Sequence, residues 1–94
     1  MPAYWITNVE VTDPSRYGEY AKLAGPAIEA HGGRFLARAG RYKQLEGRDR
    51  ARNVLVVFPS LEAAEACYLS DAYQEALTHA RGASVRDLVI VEGV

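Results

Sequence analysis

The sequence predicts an α+β domain with the element order β-α-β-β-α-β, spanning residues 1–94 as a single unit. Three observations carry that reading. Four segments are rich in β-branched, aliphatic and aromatic residues. The segments between them place apolar residues at spacings of three and four, behind good helix caps. Glycine and proline punctuate the junctions. This order is the split βαβ, or ferredoxin-like, plan: a four-stranded antiparallel sheet with its helices on one face.

Each element has a local cause. "AYWITNVEV", residues 3 to 11, is a strand by composition. Asp13 is an N-cap and Pro14 suits the first helical position, where its missing N–H would be unpaired anyway. Tyr17, Tyr20, Ala24 and Ile28 then mark one helical face. Gly25-Pro26 is expected to kink or restart this helix. Gly32 and Gly33 stop it, and His31 falls in its last turn. These glycines follow a helix, so they form neither a Walker loop nor a dinucleotide fingerprint. "RFLARAGRYKQLE" is expected to be extended, with a bend or bulge at Gly40. "GRDRA" turns, and "RNVLVVFP" is the third strand, stopped by Pro59. Ser60 caps a helix over "LEAAEACYL" and Ser70 caps another over "DAYQEALTHAR", ended by Gly82. "RDLVIVEGV" is the last strand.

A sheet with helices on one face only should alternate apolar and polar residues. "VLVVF" and "LVIV" are continuous apolar runs instead. Both sheet faces are therefore expected to be covered. The helices cover one. The same sheet of a second subunit is the simplest cover for the other, so a homodimer through sheet faces is expected.

Composition bounds the function. The chain carries a formal charge of −1, which argues against general nucleic-acid or anionic-membrane binding. The charge is uneven: residues 34 to 52 sum to +5 and the remainder to −6. Such a basic zone suits an anionic ligand or the acidic zone of a second copy. The single cysteine, Cys67, excludes an internal disulfide and fits a reducing compartment. The N-terminus has no basic, apolar leader, so a cytoplasmic location is expected. RNA-binding domains of the same element order need stacking aromatics on the third strand. Here that strand reads "NVLVVFP", so no nucleic-acid partner is expected.

The stretches "AYWITNVEVTDPSRYGEYAKLAGPAIEAHGGRFLARAG", "VVFPSLEAAEACYLSDAYQEAL" and "DLVIVEGV" resemble the domain of unknown function 1330 family. The resemblance covers nearly the whole chain. It implies membership of the dimeric α/β-barrel, ferredoxin-like superfamily and hence a dimer. It implies no reaction. Superfamily relatives include cofactor-free monooxygenases, haem-dependent enzymes and small-molecule binding modules, an analogy at the level of fold. Asp71 stands where the family pattern often has proline, and an aspartate suits a first helical turn equally well.

Five residues are candidates for a site. His31 is either a general base or a helix-end residue whose ring satisfies terminal carbonyls. Asn8 stands mid-strand, where asparagine is disfavoured, so its amide binds either a ligand carbonyl or a neighbouring strand or loop. Arg38 shares a face with Leu36 by the two-residue period. A partly buried guanidinium there needs a carboxylate (Glu10, Asp87 and Glu92 are the candidates) or an anionic ligand. Tyr20 and Tyr68 are the aromatics expected to present polar tips to a pocket between helices and sheet. Arg48, Arg50 and Arg52 read as a solvated hairpin tip. His79 reads as solvated, Cys67 as a small apolar core residue, and no metal spacing is present. No cofactor is expected, and haem is suggested only by the superfamily analogy.

Two functions compete. One is a binding module for a small anionic or aromatic organic molecule held between helices and sheet, using Asn8, Tyr20, His31, Arg38 and Tyr68. The other is a cofactor-independent enzyme of monooxygenase or isomerase type on such a molecule, with His31 or a tyrosine moving a proton.

Overall fold

A computed structural model describes residues 1–94. It contains β1 (Ala3–Val11), α1 (Pro14–Ala30), β2 (Arg34–Arg38), β3 (Arg52–Phe58), α2 (Leu61–Leu69), α3 (Asp71–Ala80) and β4 (Ser84–Glu92). The sheet order is β2-β3-β1-β4 with every pair antiparallel. This is the expected βαββαβ plan.

The helix ends are set by their caps. Asp13 accepts from the Arg16 amide at 3.2 Å. Ser60 and Ser70 accept from Ala63 and Tyr73 at 3.0 and 3.2 Å. At the end of α1 the Gly33 amide donates to Ile28 and the Gly32 amide to Glu29, with Gly32 at a φ of 82°. That is a Schellman closure, and it needs a residue free of Cβ strain at Gly32. α1 runs unbroken through Gly25-Pro26. Proline strips only the bond to the Lys22 carbonyl, four residues back, and Lys22 is exposed to water.

Gly33 is needed for a different reason. A Cβ there would lie 2.5 Å from Ile28 Cγ2, and 2.9 Å from both the Ile28 carbonyl and the Phe58 ring. The backbone carbonyl cannot step aside. Gly33→Ala is expected to cost about 1–3 kcal/mol through overpacking. A thermal melt should then fall by roughly 4–8 °C per kcal/mol. An unchanged melt would show that the α1–β2 junction is looser than its contacts indicate.

Three sequence expectations change. β2 ends at Arg38, not near Glu46, because Ala39 turns to a φ of 58° and residues 39–51 form a loop. The irregularity sits between Phe35 and Ala37, not at Gly40. Arg50 and Arg52 are not a solvated tip: Arg50 is buried and paired with Asp87 at 2.8 Å, and Arg52 opens β3 with its Nε buried.

The core lies between sheet and helices. Trp5 is at its centre, with ring centroids 5.0 Å from Tyr73 (edge-on) and 5.6 Å from Phe58. Cys67 is fully buried among these helices, and burial pushes its thiol up to about 11, so it stays protonated at neutral pH. No helix is long and apolar enough to cross a membrane.

The opposite face of the sheet is open. Tyr4, Ile6, Leu55, Val57, Val85, Val89 and Val91 alternate with the core positions along β1, β3 and β4. Val89 is 55% exposed. One end of this face is polar: Asn8 donates to Asn53 at 2.8 Å across the β1–β3 pair, with Asp87 opposite on β4.

Candidate functional site

The inner face of the sheet carries an unusual set of side chains. Thr7 on β1 is in phase with Trp5 and Val9. Arg52 on β3 is in phase with Val54 and Val56, and Arg86 on β4 with Leu88 and Ile90. Above them α1 turns Ala21, Ala24 and Gly25 toward the sheet. Small residues there leave space. The result is a cavity of about 20 Å³, room for roughly one water-sized group. Counting all the atom-free space around its lining, part of it open to solvent, the same pocket measures about 350 Å³. Its lining includes Thr7, Tyr17, Tyr20, Arg38, Arg52 and Arg86.

Arg38 reaches this pocket through the irregularity in β2. Phe35 pairs with Val56 and Arg38 with Val54, so two residue steps on β3 are matched by three on β2. The extra residue is a bulge, which re-aims the side chains beyond it. Strict alternation puts Arg38 with Leu36. The bulge puts it with Phe35, over whose ring its guanidinium lies at 4.2 Å. Arg38 is the exposed member of the lining and stands at the mouth.

Arg86 is the deep cation. Its Nη2 donates to the Tyr20 hydroxyl at 2.9 Å and to the Tyr73 hydroxyl at 3.1 Å. The two hydroxyls are 2.7 Å apart and bonded to each other. The trio ties α1, α3 and β4 together. Burial pushes the Tyr20 phenol well above the ordinary value, with the Tyr73 phenol adding to this and Arg86 opposing it. Burial likewise raises Tyr73, against the pull of Arg86. For Arg86, burial works against the charge, but the Tyr20 and Tyr73 oxygens outweigh it and hold the guanidinium above its usual value. At neutral pH the trio is therefore two neutral phenols and one cation.

No carboxylate balances these charges. The protein's two ion pairs are Lys22–Glu19 and Arg50–Asp87, and neither involves Arg38, Arg52 or Arg86. Aromatic faces give partial compensation: Arg86 lies 4.7 Å over Tyr20 and Arg52 5.4 Å over Tyr17. The Nε atoms of Arg52 and Arg86 and the hydroxyl of Thr7 are buried without any hydrogen-bond partner. Buried donors of this kind are rare in native proteins and each costs about 1–3 kcal/mol.

Of the five residues nominated from sequence, Tyr20 and Arg38 meet in this pocket. The other three lie elsewhere. Asn8 is on the outer sheet face, held by Asn53. His31 caps its own helix, with Nδ1 2.8 Å from the Ala27 carbonyl. Tyr68 packs on Trp5 and on the far side of Tyr73, with ring centroids 6.0 and 5.4 Å away. Asp87, suggested as a partner for Arg38, pairs with Arg50 instead. Sequence reasoning missed Thr7, Arg52, Arg86 and Tyr73. The signal for the arginines was present: each is in phase with apolar core residues of its own strand.

The fold recurs in solved structures. A protein of unknown function from Rhodopseudomonas palustris is 21% identical over 99% of this chain and 82% of its own, with a TM-score of 0.79. A dimeric ferredoxin-like protein of unknown function from Jannaschia sp. CCS1 is 12% identical, with 99% and 100% covered and a TM-score of 0.70. SnoaB, a cofactor-independent oxygenase from Streptomyces nogalater, is 14% identical, with 99% and 93% covered and a TM-score of 0.66. No curated protein matches in sequence. The sequence pattern described as domain of unknown function (DUF1330) matches residues 2–94, essentially end to end, and the chain accordingly belongs to the DUF1330 family.

Proposed function

We propose that this protein binds a small organic anion with an aromatic or apolar body in the pocket between α1 and the sheet, and does so as a homodimer joined through the open sheet faces. One observation carries the ligand: three guanidinium groups line a single cavity that no carboxylate lines, none of them is in an ion pair, and two of their Nε donors are unpaired. An uncompensated buried charge costs several kcal/mol unless something answers it. A negatively charged acceptor answers the two partly buried ones, Arg52 and Arg86, with Arg38 exposed at the mouth. The aromatic and aliphatic lining (Tyr17, Phe35, Val54) suits an apolar body behind the charged group. The dimer is supported by the apolar outer face and by the dimeric ferredoxin-like relatives.

A catalytic reading finds less support. His31, the base offered by the sequence, is bonded to its own helix and does not line the pocket. Tyr20 and Tyr73 are held neutral by burial, so they serve as hydrogen-bond donors, not as bases.

The test is calorimetric titration with benzoate and with its neutral isostere benzamide. Benzoate is expected to bind at least tenfold more tightly, with affinity falling as salt is raised. Equal binding of the two, or none of either, would overturn the proposal.

A further inference from the structure

A second recess adjoins the pocket. It is an open groove of about 370 Å³ beside the N-terminal half of α1. Tyr17, Ala21 and Arg52 line both, so one leads into the other. The rest of the groove wall is uncharged, with Val11, Pro14 and Gly18 among it. The pocket's own cavity is far smaller, about 20 Å³. It takes the end of a ligand, and the groove is the adjoining space for the remainder.

Gly18 has no structural reason to be glycine. A glycine inside a helix weakens it. Gly25, the other glycine of α1, is accounted for, because a Cβ there would meet Arg38 Nη2 at 3.3 Å. Gly18 is exposed, its φ is not positive, and a Cβ added to it would meet nothing within 4 Å. It lines the groove, so a side chain there would take groove space. Gly18, Ala21 and Gly25 follow one another at spacings of three and four along one helix face, from the groove to the pocket. At the inner end stands Thr7, 2% exposed, whose hydroxyl lines the pocket without a partner. A buried hydroxyl of this kind calls for a polar group of a ligand.

The geometry points to a ligand in two parts: an anionic head held at Thr7, Arg52 and Arg86, and an apolar body that runs out along α1 and over Gly18. From Gly25 to Gly18 is two helical turns, roughly 10 Å, farther than one aromatic ring reaches. Gly18 therefore sets the length of body that the site accepts.

The inference rests on the anion-binding reading and specifies the shape of its ligand. The probes are benzoate and biphenyl-4-carboxylate, compared by titration calorimetry. Biphenyl-4-carboxylate is expected to bind the wild-type chain at least tenfold more tightly than benzoate. Gly18→Leu should cut its affinity at least tenfold and leave benzoate within twofold of the wild type. Leucine adds apolar surface, so mere adsorption of the second ring would not weaken. Gly18→Ala should melt no lower than the wild type, and a lower melt would give the glycine a structural reason and overturn the inference. Benzoate binding with a biphenyl-4-carboxylate that binds no more tightly, or that keeps its advantage in Gly18→Leu, would overturn this inference and leave the broader reading standing. Failure of both anions to bind would overturn both.

Discussion

Arg86→Met is expected to raise the melting temperature and weaken anion binding about 100-fold in the same variant. The guanidinium is half-buried, charged and unmatched by any carboxylate, and its Nε lacks a partner. Replacing buried charges with apolar side chains of similar volume is often neutral or stabilising, by about 1–4 kcal/mol. Against that gain stand two lost hydrogen bonds to Tyr20 and Tyr73. Those phenols keep their bond to each other, so neither is stranded by the change. Methionine is unbranched and adapts to the space left by the arginine stem. A net gain of about 1 kcal/mol corresponds to roughly 4–8 °C in a domain of this size. Benzoate affinity should meanwhile fall about 100-fold, the equivalent of about 3 kcal/mol. Scanning calorimetry and titration calorimetry on the same sample read both quantities. A variant that melts earlier yet still binds benzoate would identify Arg86 as a tie between helices and sheet, with no part in a site.

The second large effect concerns the open sheet face. Val89→Glu is expected to convert the dimer to a folded monomer. Val89 is exposed in the single chain and touches no core position, so circular dichroism should be unchanged. In a two-fold dimer the glutamate enters the interface twice. At about 3 kcal/mol for each uncompensated buried charge, dissociation should strengthen roughly 10⁴-fold. Sedimentation equilibrium at micromolar concentration distinguishes the two states. A monomeric wild-type chain, or a variant that sediments like it, would remove the basis for placing the partner on this face.

Much of the architecture arises from short-range chemistry. Asp13 with Pro14, Ser60, Ser70 and Gly32 set helix boundaries through bonds made within a few residues, so the sequence alone reveals them. β2 was harder. Its end depends on the left-handed turn at Ala39, a residue with no preference for that conformation. The face of Arg38 depends on a bulge that "RFLAR" does not announce. The ion pair of Arg50 with Asp87 joins residues far apart in the chain, and nothing local selects that partner over another. The site was half legible. Tyr20 stands out by helical spacing. Arg52 and Arg86 could have been found by asking which charged residues fall in phase with core positions on the strands. His31 and Asn8, with more familiar chemistry, are spent on a helix end and on the outer sheet face.

The slip between Phe35 and Ala37 bears on how such a pocket can change over evolutionary time. β2 is an edge strand, where gaining or losing one residue disturbs a single neighbour. Because successive strand residues face opposite ways, that smallest of edits swings every later side chain of the strand to the other surface. Here those are Ala37 and Arg38, and Arg38 alone carries a charge. A lineage can thus install or withdraw a gatekeeping cation with one codon, while the tryptophan and tyrosine scaffold beneath stays as it was.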